Sequence, residues 1–167
     1  METATISLIL SALAILIAIY SLFRNGRPAP SNTKGGEKFE STALRLQAYE
    51  RLVLLTERIA LPNLISRLNQ PGLSAVEMKV ILTENIKHEF EYNSTQQLYV
   101  TPVSWDAVSN LKEQNIMIIY QVAASLPADA TAAQLNKKIL EVLMSQPQAM
   151  LHEMVLKALN FEAKKLM

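Results

Sequence analysis

Two histidines, His88 and His152, are the side chains best suited to acid–base or metal chemistry in this chain, which contains no cysteine. Glu84 lies four residues before His88, Glu89 and Glu91 follow it, and Glu153 follows His152. A ferritin-like di-metal bundle needs Glu-x-x-His on two helices plus two further Glu residues, and that spacing is absent. On a helical wheel His88 groups with Glu84, Lys87 and Glu91, away from the face formed by Met78, Leu82, Ile86 and Phe90. A solvated polar face accounts for it without a metal. The two aspartates, Asp106 and Asp129, both fall at expected helix starts, where a carboxylate favours the positive end of the helix dipole. No Gly-x-Ser-x-Gly, phosphate-binding loop or dinucleotide fingerprint occurs. The expectation is therefore no catalytic set, no metal and no cofactor. The competing reading is an enzyme or a small-ligand or metal-binding domain whose pocket gathers Glu, His and Tyr side chains, with His88, Tyr92 and Tyr99 as its members.

Asn115 stands near the centre of an apolar arc made by Leu111, Ile119 and Val122. A buried Asn fixes helix register, marks a polar contact with a partner or, most commonly, bonds a nearby backbone group. Met144, Met150 and Met154 gather near the C-terminus. Flexible apolar side chains suit an adaptable docking surface, although ordinary core filling explains them as well.

The elements that must position these residues read as helices. Glycine is scarce, at four residues, and three of them fall between residues 24 and 40. The stretch STALRLQAYERLVLLTERIA places Leu44, Ala48, Leu52, Leu55 and Ile59 on one face and stops before Pro62. A short helix from Asn63 to Asn69 follows, ended by Pro71-Gly72. Ser74 and Glu77 form a capping box that opens a helix burying Met78, Leu82, Ile86 and Phe90 and running to about Tyr92. The helical period then breaks, with Leu98, Tyr99 and Val100 extended before Pro102. Ser104 caps the next helix, which turns Trp105, Val108, Leu111, Ile119, Val122 and Leu126 inward and ends at Pro127. Thr131 with Gln134 opens another, with Leu135, Ile139, Val142 and Leu143 inward. Pro147 suits the first position of a last helix holding Met150, Met154, Ala158 and Phe161.

Ahead of this lies a run of twenty residues, Ala4 to Phe23, without a charge. At about 1.5 Å of rise per residue it matches the roughly 30 Å hydrocarbon core of a bilayer. Glu2 precedes it and Arg24, Arg27, Lys34 and Lys38 follow it, the reverse of a signal peptide. The expectation is a membrane anchor over residues 1–23, a flexible linker over 24–40 and a cytoplasmic all-α bundle of five to six helices over 41–167. The positive-inside rule puts the N-terminus outside the inner membrane and the bundle in the cytoplasm. Within the run, Ala4, Ser7, Ser11, Ala14, Ala18 and Ser21 form a stripe of small residues. Such a stripe lets membrane helices pack closely, and this is the expected site of homo-oligomer formation; the bland alternative is that Ala and Ser are common in spans.

The stretches RLQAYERLVLLTERI (45–59), HEFEYNSTQQLYV (88–100) and QLNKKILEV (134–142) resemble an uncharacterised bacterial family of small membrane-anchored proteins with a helical cytoplasmic domain of unknown function. The resemblance implies the anchored architecture, but no activity and no site residues. Basic and acidic residues balance from Ser41 onward, which speaks against a nucleic-acid partner, since that needs a clustered basic face. The functional expectation is a helical scaffold or adaptor that touches the lipid bilayer and binds a partner protein at the cytoplasmic face of the membrane.

Overall fold

A computed structural model describes residues 34–145 and 149–167. Among them the chain is all-helical: α1 (Lys34–Ile59), α2 (Leu61–Leu68), α3 (Ala75–Tyr92), a 3-10 turn (Ser94–Leu98), α4 (Pro102–Ala124), α5 (Ala132–Ser145) and α6 (Ala149–Lys164). The compact unit Glu40–Met167 holds the core. Leu52, Leu55 and Ile59 of α1, Met78, Leu82 and Ile86 of α3, Val108, Leu111 and Ile119 of α4, and Leu135 and Ile139 of α5 bury their side chains together. These are the i, i+3, i+4 stripes that an amphipathic helix presents to its neighbours.

The single-pass architecture and inner-membrane location expected from residues 4–23 are corrected by these helices. Among the described residues no helix is long and apolar enough to cross a membrane. Helix α4 has the length, but Asp106, Lys112 and Glu113 interrupt it, and α3 carries charges from Glu77 to Glu91. Each helix thus keeps a polar face for water, which a lipid-spanning helix does not. The stripe Ala4, Ser7, Ser11, Ala14, Ala18 and Ser21 and the first part of the expected linker lie outside the described residues. Helix α1 begins at Lys34, inside the stretch read as linker.

Local chemistry sets the helix starts. In α3, Ser74 Oγ accepts from the Glu77 amide at 3.2 Å, and Glu77 Oε2 accepts from the Ser74 amide at 2.9 Å, a reciprocal capping box. Thr131 and Gln134 repeat it at α5, where the Thr131 amide donates to Gln134 Oε1 at 2.8 Å. The two starts are joined. The Ala75 amide donates to Ala130 O and the Ala132 amide to Leu73 O, at 2.8 and 2.9 Å, forming an antiparallel bridge between Ser74 and Thr131. Gly72, with φ +85°, makes the turn before it, in the left-handed region that side chains disfavour.

Three local expectations are revised. Thr101, not Ser104, caps α4, because Pro102 takes the first helical position; Ser104 then falls at the third and is buried. Residues 98–100 are not extended: bonds from Gln96 N to Asn93 O and from Tyr99 N to Gln96 O wind the link into a 3-10 turn. In α6 the buried residues are Val155 and Leu159, while Met154 and Phe161 are 60% and 63% exposed. The helix carries two apolar stripes, and the core takes the aliphatic one. Pro147 lies outside the described residues, as does the Met150 side chain.

A groove of arginines and a helix break

Proline has no N–H, so Pro62 leaves the carbonyl four residues back, Arg58 O, without its helical donor. The chain also leaves the helix at Ala60, where ψ is 123°. Three side chains replace the missing donors. Asn63 Nδ2 donates to Glu57 O at 3.1 Å, Arg67 Nη2 to Arg58 O at 3.1 Å, and Asn115 Nδ2 to Ile59 O at 2.8 Å. The buried Asn115 is thereby explained: it bonds a backbone group that the break between α1 and α2 exposes.

Arg67 extends this arrangement to the surface. Its Nη1 reaches Glu89 Oε1 at 3.2 Å and its Nη2 reaches Asn85 Oδ1 at 3.0 Å. Arg58 grips the same carboxylate through both Nε, at 2.8 Å to Oε2, and Nη2. Two guanidinium groups therefore share one carboxylate, which is 14% exposed. The Arg58 hydrogen bond holds the Glu89 pKa below the usual carboxylate value against the opposing effect of burial, with Arg67 adding to it. Arg58 is raised in turn, chiefly by Glu89. One positive charge remains in excess.

Above this network runs an open groove of about 630 Å³ between α1 and α3. Gln47, Glu50, Arg51, Leu54 and Arg58 line it from α1, and His88, Glu89 and Tyr92 from α3, together with Asn93, which caps α3 at its C-terminal end. Leu54 is 61% exposed and Tyr92 77%. Arg51 forms no ion pair among the described residues. His88 and Tyr92 are thus brought together, one helical turn apart on the rim. Tyr99 is not with them; it lines a separate shallow pocket with Ser41, Leu44, Arg45, Leu98 and Val100. Asn115 lies elsewhere again, in a cavity beneath the helix break with His152. Among the described residues no three His, Asp or Glu side chains converge as a metal ion requires.

Sequence reasoning missed the arginines and Leu54, and saw Glu89 only as a neighbour of His88. Pro62 held one signal, since it marks Arg58 O as a carbonyl needing a donor. The pairing of Arg58 with Glu89 spans 31 residues and leaves no local trace. Tyr49 was missed too. It is 1% exposed, and its hydroxyl meets Ser104 Oγ and Thr101 Oγ1 at 3.5 Å and accepts from the Thr101 amide at 3.2 Å. Burial pushes the phenol pKa up, but these hydrogen bonds outweigh it and the net shift is downward. This cluster pins α1 to the start of α4.

The sequence model of a family of unknown function (DUF7935) matches residues 2–166, nearly the whole chain. The chain belongs to that family. Neither the curated proteins nor the solved structures contain a match to it. Membership in the family carries no activity with it, and the chemistry of the groove is what a function must be read from.

Proposed function

We propose that the helical domain is a protein-binding module, an adaptor, and that the α1–α3 groove is where its partner docks. The carrying observation is the pairing of two largely exposed apolar side chains, Leu54 and Tyr92, with the unpaired cation of Arg51 in one groove. Aromatic and arginine side chains dominate the energetics of protein interfaces, and a groove walled by two helices fixes a peptide segment along their length. The floor is rigid because Arg58 and Arg67 are both tied to Glu89. Glu50 offsets Arg51 on the rim, so the charge in excess is the single one of the Arg58–Arg67–Glu89 network, and it favours a partner segment that presents an acidic side chain beside apolar ones. Another exposed apolar group, on α3 and α4, suits docking less well, since Lys79 Nζ already sits 5.3 Å from the centre of the Tyr120 ring.

Photo-crosslinking amino acids placed at Leu54 and Tyr92 of the full chain in its own cells test this reading. Both positions should trap the same protein, and the trap should fail from Met144, a fully exposed position on α5. Equal trapping from Met144, or two unrelated products from the two groove positions, would contradict it.

A further inference from the structure

The wall that α1 gives to the groove continues past Gln47. Leu44 stands one turn nearer the N-terminus of that helix, and from α3 Asn93 leads into the 3-10 turn that carries Leu98. Leu44 and Leu98 line the next pocket with Arg45, Tyr99 and Val100. The turn buries none of its five residues, and Leu98 is 76% exposed. Leu44 and Tyr99 are exposed as well. Exposed apolar groups gathered in this way mark interaction sites. Arg45 forms no ion pair among the described residues. Cations therefore stand at both ends of the surface: Arg45 at one, and the single excess charge of the Arg58–Arg67–Glu89 network at the other. Glu50 offsets Arg51 between them.

We propose that one occupant spans both pockets and that it is an amphipathic helix of a partner protein, with apolar side chains on one face and an acidic side chain near each end. The proposal rests on the docking reading of the groove and extends it past Tyr92. Length follows from the charges: Arg45 and Arg58 are thirteen residues apart on α1, about 20 Å, which a helix covers in roughly four turns. The acidic ends follow from the cations they meet. Helical form follows from the walls. Their backbone groups are bonded within α1 and α3, and no strand among the described residues offers an edge to pair with. An extended segment pressed between them would lose the hydration of its own N–H and C=O groups and find no replacement, whereas a helix bonds them internally.

The test places photo-crosslinking amino acids at Leu44 and Leu54 of the full chain in its own cells and maps the residue trapped from each by mass spectrometry. The two positions are ten residues apart on α1, about 15 Å along its axis. A docked helix should give trapped residues about ten apart in one segment of one protein, because both helices rise at the same rate per residue. An extended or polyproline segment, at roughly 3.1–3.3 Å per residue, would give about five and overturns the proposal. So does trapping of a second copy of this chain. A synthetic peptide covering both trapped residues should bind the purified full chain, and Leu98→Asp and Arg45→Glu should each weaken it about tenfold. Two variants are used so that poor folding of one leaves the other decisive, and unchanged affinity in both overturns the proposal. A product from Leu54 and Tyr92 with none from Leu44 overturns the extension alone and leaves the groove as the docking site. No product from any of the three removes the docking reading with it.

Discussion

Asn115 and Glu89 are the two polar side chains on which the centre of the molecule depends, and each acts through a partner far along the chain. Asn115 supplies the donor that Ile59 O has lost. Asn115→Ala would leave that carbonyl unpaired inside the core and enlarge the cavity, at a cost of about 2–3 kcal/mol in chemical denaturation. Asn110→Ala, five residues earlier and exposed, should cost less than about 0.5 kcal/mol. Glu89 is held below its ordinary pKa of 4.5 by Arg58 and Arg67. A carboxylate with a lowered folded-state pKa adds stability above its unfolded value, and that stability is lost as the pH falls through the folded one. Glu89→Gln should therefore cost about 1–2 kcal/mol at pH 7, discounted because Arg58 is half exposed. The gap between wild type and variant should close as the pH falls below 4.5. Denaturation midpoints at a series of pH values would show it; a gap independent of pH would mean that the charge of Glu89 stabilises nothing.

Among the helices, what could be read in advance is what depends on neighbours in sequence. The capping boxes at Ser74 and Thr131 require residues three apart, and both are present. The inward faces of α3 and α5 follow one unambiguous stripe, and they are buried as expected at Met78, Leu82, Ile86, Leu135 and Ile139. Helix α6 defeats this logic because apolar residues cover more than half its circumference, and packing chooses between two faces of similar hydropathy. The choice can be measured. Leu159→Ala, at a fully buried position, should cost about 2–5 kcal/mol, whereas Phe161→Ala should stay within about 0.5 kcal/mol. The reverse order would put the wrong face of α6 inward. Long-range pairs escaped for a different reason. Asn115 could be marked as buried and polar from its position alone, but the identity of its partner depends on how α4 lies against the break. The groove is less legible still: His88 and Tyr92 can be named as pocket candidates, but Arg51 and Leu54 look like ordinary exposed residues until α1 packs against α3.

At the scale of the molecule, the buried core, the clamp of Tyr49 on Thr101 and Ser104, and the joined starts of α3 and α5 leave the α1–α3 groove as a prepared surface on a rigid frame. Among its polar lining residues Arg58 is bonded to Glu89 and Asn93 to Glu89 O, which leaves Gln47, Glu50, Arg51, His88 and Tyr92 to face a docked chain. Membership in a family of unknown function carries no activity, so the docking proposed for the groove rests on its own chemistry. The most direct measurement is the affinity of the protein trapped from Leu54 and Tyr92 for the purified full chain, compared with Arg51→Glu and Tyr92→Ala. Reversing the charge at Arg51 should weaken binding about tenfold at low salt and less at high salt, and removing the Tyr92 ring should cost about 1–2 kcal/mol at either. Neither change should alter the unfolding midpoint, since both side chains are exposed. Affinities unchanged in both variants would show that the groove does not hold the partner.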